Sequence, residues 1–270
     1  MSAIRRHPII TFFVLTYALS WWAVPFGGFI PAGPLIAALI VIPITQGLSG
    51  LKALGSRMIR WRVRWYWYAL AIGLPLAVHL ITVALNVGLG APAPSLAQFS
   101  PLSGLIVVFA VRLINPLDGP MGEEPGWRGF ALPGLQADRS PLVATLILAL
   151  LVTLWHVPLL LPAFGATPWD LLGTFAVTIW YTWLFARTGG SVLMTIVAHS
   201  TEGSIQTSAF WAAGAAAAAR VGLLYALVWC AVAIGLVVID WRFWGSPSPA
   251  QATMQPAYGE PAYGGEQRVR

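Results

Sequence analysis

Apolar runs of membrane-spanning length dominate this chain. A helix that crosses a bilayer needs about 20 largely apolar residues. Eight stretches qualify, at approximately 8–26, 29–48, 66–88, 102–121, 141–163, 170–186, 190–209 and 220–240. Lipid tolerates no open backbone polar groups, so such runs form helices or a closed barrel. Their length, and the lack of alternation between polar and apolar residues, predict helices. The expected fold is all-α, a polytopic bundle of about eight transmembrane helices over residues 1–245. Run 102–121 is interrupted by Arg112, Asn115 and Asp118, and run 190–209 is rich in Thr and Ser.

Composition agrees. Only 9% of the 270 residues are charged, against roughly 25% in soluble globular proteins. That shortfall argues against a water-soluble fold, and 58% hydrophobic content argues against disorder as the main state. The net charge of +6 matters through its placement. With the N-terminus inside, thirteen basic residues fall on the cytoplasmic side, from Arg5 and Arg6 through Lys52–Arg64 to Arg268 and Arg270. Only Arg220 falls outside, and Arg112 lies within a span, so the positive-inside rule selects an N-in, C-in topology. The first run reads as an uncleaved span, since Trp21, Trp22 and Pro25 follow it and no A-x-A site appears.

Residues 50–65 interleave basic side chains with Leu, Met, Ile, Trp and Val. This is the pattern of an interfacial segment against anionic lipid, and no nucleic acid is expected as a partner. Residues 246–270 are rich in Pro, Gly, Ala, Tyr and Gln, with Pro256-Ala-Tyr-Gly repeated at Pro261, and read as a disordered cytoplasmic tail. The single cysteine, Cys230, excludes an intramolecular disulfide and a cysteine-based metal site.

Ionisable side chains within spans are costly and mark function by default. Glu123, Glu124 and Arg128 fall in one hexapeptide, with Arg128 four residues after Glu124 on one helix face. Pro125 suggests that a helix begins at about that point. Glu124 is expected to pair with Arg128, leaving Glu123 as a general base toward water. His156 and His199 lie on two further spans, and bundle sites are built from such inward-facing side chains. The group formed by Glu123, His156 and His199 could ligate a metal such as zinc, leaving an open position. It could equally act without one, through Glu and His activating water and the second His stabilising an oxyanion. His79 reads as structural, as do Arg112 and Asp118; Glu202 is placed to orient His199 or to sit at the mouth of the site.

Gly119-Pro-Met-Gly-Glu-Glu-Pro-Gly-Trp-Arg-Gly-Phe-Ala-Leu-Pro133 resembles the EExxxR signature of the CPBP family, the CAAX proteases and bacteriocin-processing enzymes, also called Abi or type II CAAX prenyl endopeptidase-like proteins. Val152-xxx-His156 is similar to the second motif, FxxxH, and His199 to the third, a histidine followed four residues later by Asn or Asp. The likeness covers about residues 100–210. It implies an intramembrane endopeptidase, multi-pass in a bacterial cell membrane, acting on a peptide or protein substrate at the bilayer. By analogy Glu123 activates water with His156, Glu124 and Arg128 hold the first motif, and His199 assists the oxyanion; Zn²⁺ is implied only if the metal-dependent mechanism holds. Two positions depart from the pattern: Val152 replaces Phe, and Gly203 stands where the motif has Asn or Asp. The second departure supports an alternative, a non-catalytic membrane binding or bacteriocin-immunity protein. A transporter ranks below both, since the two halves of the chain do not correspond.

Overall fold

The computed structural model describes residues 3–212 and 214–247. The tail expected at 246–270 therefore lies outside the described residues from 248 onward. Every regular element among the described residues is helical. In order these are α1 (Ala3–Arg6), α2 (Pro8–Trp21), α3 (Gly33–Met58), α4 (Trp65–Gly88), α5 (Leu102–Ile114), α6 (Gly119–Gly126), α7 (Leu132–Gln136), α8 (Pro141–His156), α9 (Pro168–Arg187), α10 (Val192–Ser204), α11 (Ala216–Ile239) and α12 (Trp241–Trp244).

The chain folds as a helical membrane bundle. Six segments are both long and apolar enough to cross a bilayer: Pro8–Phe26, Gly33–Met58, Trp65–Gly88, Leu102–Gln136, Pro141–Leu160 and Ala216–Ile239. The runs at 170–186 and 190–209 become α9 and α10. Helix α9 has the length, at 20 residues, but carries many Thr, Trp and Tyr; α10 has only 13 residues. Large apolar side chains stay exposed around the perimeter, among them Ile10, Val14, Leu80, Val107, Ile234 and Val238. Such a surface is matched to lipid rather than water. Trp65 and Trp241, at the ends of spans, are also exposed, as an aromatic belt requires.

Two large apolar clusters and a small one around Phe210, Trp211, Ala217 and Val221 form the interior of the described residues. Phe12, Trp127, Phe130, Leu148 and Trp155 join α2, α3, α8 and the first motif. Val78, Trp180, Leu184, Met194 and Trp229 join α4, α9, α10 and α11. Outside the spans, Asp240 ties α9 to the end of α11: its Oδ2 accepts from Trp183 Nε1 at 2.7 Å and from Arg187 Nε at 2.8 Å. Partial burial alone would raise this carboxyl, but the hydrogen bonds from Arg187 and Trp183 outweigh it and hold it below the ordinary aspartate value.

Segment 102–136 is not one helix. Pro116 follows Asn115, and a residue preceding proline avoids helical backbone; α5 ends at Ile114. Asp118 then starts α6, its Oδ1 accepting from Gly119 N at 2.6 Å with Pro120 in the first turn. The helix thus begins before the glutamates rather than at Pro125, and both glutamates lie inside it. It continues through a π-helical turn at Trp127–Ala131, a distortion frequent at functional sites. Pro133 lacks the N–H that would bond the Gly129 carbonyl four residues back. Arg57 Nη1 supplies the donor instead, at 2.7 Å. Segment 50–65 is accordingly anchored by Arg57, beyond a kink in α3 at Gly47, whose φ of 68° favours glycine.

Candidate active site

Glycines set the orientation of the first motif. A Cβ at Gly126 would lie 2.5 Å from Pro34 O, and one at Gly122 would lie 2.9 Å from Pro31 O. Small residues four apart let helical backbones approach closely in membranes. This face of α6 is pressed against the start of α3. Glu123, Glu124 and Arg128 instead line a cavity of about 180 Å³, together with His156 from the end of α8, His199 and Glu202 from α10, Tyr181 from α9 and Tyr225 from α11. All five residues singled out by the motifs therefore reach one cavity, although they come from three separate segments.

Glu124 is fully buried, and Arg128 is 2% exposed. Glu124 Oε1 accepts from Arg128 Nη1 and from His199 Nδ1, each at 3.0 Å. The guanidinium of Arg128 also lies over the Tyr181 ring, 5.0 Å from its centroid. The same ring stacks on His199 at 5.3 Å. Glu124 thus orients His199 and Arg128 together, and Tyr181 holds both from the other side. Because Nδ1 of His199 donates to the carboxylate, Nε2 is the atom it offers to the cavity.

Glu123 has a different environment. Its Oε2 accepts from Trp127 Nε1 at 3.3 Å, and its other oxygen faces the gap beside Gly119. A Cβ built on Gly119 would lie 3.0 Å from Glu123 Oε1 and 3.7 Å from His199 Nε2. His156 Nδ1 is 2.8 Å from Val152 O. A carbonyl only accepts, so Nδ1 carries the proton and Nε2 holds the lone pair. Beside the Glu124–Arg128 pair, the cavity therefore presents the carboxyl group of Glu123 and two imidazoles that turn Nε2 toward it. Among the described residues, no three His, Cys, Asp or Glu side chains are grouped closely enough to hold a metal ion. Glu123, His156 and His199 nonetheless line the same cavity.

The remaining ionisable groups take specific places. His79 is buried; its Nε2 donates to Glu202 O at 3.0 Å, and its Nδ1 lies 2.7 Å from Thr207 Oγ1. That is the hydrogen-bonded structural histidine expected. Glu202 does not orient His199, a role taken by Glu124; its Oε1 accepts from Tyr225 OH at 2.7 Å. Arg112 pairs with Asp118, Nη1 to Oδ1 3.2 Å. The sequence reading passed over Tyr181 and Tyr225. Their only advance signal was a phenol placed in a span, where a hydroxyl needs a reason to be buried.

Comparison with curated proteins gives no match. Residues 101–205 match the family model of the type II CAAX prenyl endopeptidase Rce1-like proteins. That stretch contains Glu123, Glu124, Arg128, His156 and His199, all of which line the cavity. Through this segment the chain is similar to the Rce1-like type II CAAX prenyl endopeptidases.

Proposed function

We propose that this protein is an intramembrane endopeptidase that hydrolyses a peptide bond in a membrane-associated peptide or protein. The observation that carries the reading is the convergence of Glu123, His156 and His199 on one polar cavity inside an apolar bundle. Each of these groups is costly in a membrane interior. Gathered together, they supply what amide hydrolysis needs. Glu123 takes a proton from water as the water oxygen bonds to the carbonyl carbon. His156, with its Nε2 lone pair turned to the cavity, accepts a hydrogen bond from the same water. His199, as the imidazolium held by the Glu124 carboxylate at Nδ1, donates from Nε2 to the negative charge that develops on the carbonyl oxygen. When the tetrahedral species collapses, the C–N bond breaks and the proton held by Glu123 passes to the leaving amine. Water is thereby added across the amide, and Glu123 returns to its starting state.

The family description points to substrates with a prenylated cysteine near the C-terminus. The reading is tested with the full chain in phospholipid vesicles, using quenched-fluorescent peptides with and without a farnesylated cysteine. Glu123→Ala is expected to abolish cleavage while leaving the thermal unfolding profile intact. A Glu123→Ala protein that cuts as fast as the original chain overturns the assignment.

A further inference from the structure

At Gly203 the third motif lacks its Asn or Asp, and neither adjacent side chain takes over. Ser204 Oγ donates to Ser200 O within its own helix, and Glu202 is engaged by Tyr225. The space is nevertheless filled. A Cβ built on Gly203 would lie 2.2 Å from Nη2, 2.6 Å from Cζ and 2.9 Å from Nε of Arg112. The guanidinium of Arg112, reaching over from α5, stands where a side chain at 203 would begin.

We propose that Arg112 is a second oxyanion-stabilising donor of this site, binding the carbonyl oxygen of the scissile bond beside His199. This rests on the hydrolytic reading above. Three observations carry it. First, a Cβ on Gly119 would lie 3.8 Å from Arg112 Nη2 as well as 3.0 Å from Glu123 Oε1 and 3.7 Å from His199 Nε2. The guanidinium, the carboxylate and the imidazole therefore surround one small space, left open because residue 119 has no side chain. Second, Arg112 keeps donors to spare. Nη1 is taken by Asp118, whereas Nε is buried with no hydrogen-bond partner among the described residues. A buried N–H without a partner is unfavourable, and a substrate oxygen would relieve it. Third, the other arginine of the site cannot serve, since Arg128 is buried against Glu124 and Tyr181. Arg112 is 22% exposed and lines a second, larger cavity of about 610 Å³ that shares Asp170, Glu202 and Tyr225 with the first. Substrate entering by that route meets the guanidinium. A planar cation with several fixed donors suits a developing oxyanion.

The test is cleavage of the farnesylated quenched-fluorescent peptide by the full chain in vesicles, with Glu123→Ala measured alongside. Arg112→Ala is expected to lower kcat on the order of 10²-fold with KM nearly unchanged, as for loss of one oxyanion donor. Guanidinium chloride at millimolar concentration is expected to restore part of the rate. Gly203→Asn on the Arg112→Ala background is expected to recover activity, because the amide enters the vacated space. Gly203→Asn alone is expected to lose activity, because its Cβ collides with the guanidinium. Arg112→Lys, which keeps the charge beside Asp118, is the variant to use if Arg112→Ala does not fold; it is expected to lose about tenfold in kcat. An Arg112→Ala rate within threefold of the original chain, with Glu123→Ala inactive, overturns this inference and leaves the hydrolytic reading standing. So does a loss that neither guanidinium nor Gly203→Asn restores, which assigns Arg112 a purely structural role. Unimpaired cleavage by Glu123→Ala, or no cleavage of any peptide by the original chain, overturns both.

Discussion

Arg128→Ala isolates the energetics of the site from its chemistry. The substitution removes the cation that lies 3.0 Å from a fully buried carboxylate. It also removes a cation stacked over Tyr181. Breaking a buried ion pair by deleting one partner costs about 3–5 kcal/mol, because the other charge is left uncompensated. The His199 imidazole also bonds Glu124 Oε1 and offsets part of this, which places the expected loss near the lower bound, about 3 kcal/mol. At about 2–4 °C per kcal/mol for a chain of this size, the unfolding midpoint falls on the order of 10 °C. Replacing both charges, as in Glu124→Gln with Arg128→Met, removes the stranded charge and keeps an amide oxygen for His199. Most of the lost stability is expected to return. The assay is thermal unfolding in detergent micelles, followed by tryptophan fluorescence at one scan rate. If Arg128→Ala loses less than about 1 kcal/mol, or the double variant is no more stable than the single, the pair does not work as argued.

Two further substitutions probe the scaffold. Gly126→Ala places a Cβ 2.5 Å from a backbone oxygen of α3 and is expected to cost about 1–3 kcal/mol, whereas Gly73→Ala in α4, with open space around it, is expected to cost nothing; equal melting points for the two variants contradict the close approach of α6 to α3. Asp240→Asn removes the negative charge from the acceptor shared by Trp183 and Arg187, leaving a neutral amide oxygen in its place. The folded carboxyl is held below its ordinary value of 3.8, so its stabilisation is present above that pH and fades as pH falls through the lower, folded value. The variant is expected to melt slightly below the original chain at pH 7, by about 1 kcal/mol or less, and the gap is expected to close in acid; a gap that persists at the lowest pH contradicts the assignment.

Much of this was legible in the sequence, for identifiable reasons. Length and hydropathy of the runs are local properties, so the helical membrane class followed from them. The glutamates, Arg128 and the two histidines were conspicuous because charge is rare in such a chain, and lipid leaves costly side chains few places except one another's company. The count of spans was less transparent. Hydropathy alone does not register that Asn115-Pro116 breaks a run in two, nor that α10, at 13 residues, is too short to cross a bilayer. The helix start was misplaced because Pro125 and Pro120 carry the same signal, and the cap at Asp118 decides between them. Least legible was the partner of Gly203. A glycine in a motif position reads as an absence, and nothing local says that Arg112, on another helix, fills the space.

The central claim is that Glu123 is the base that activates water. The most direct measurement is kcat for peptide cleavage by Glu123→Gln, which keeps the shape of the side chain and an oxygen for Trp127 while removing the basic carboxylate. A fall of about 10²-fold or more is predicted, with the unfolding midpoint unchanged. A rate equal to that of the original chain would contradict the account.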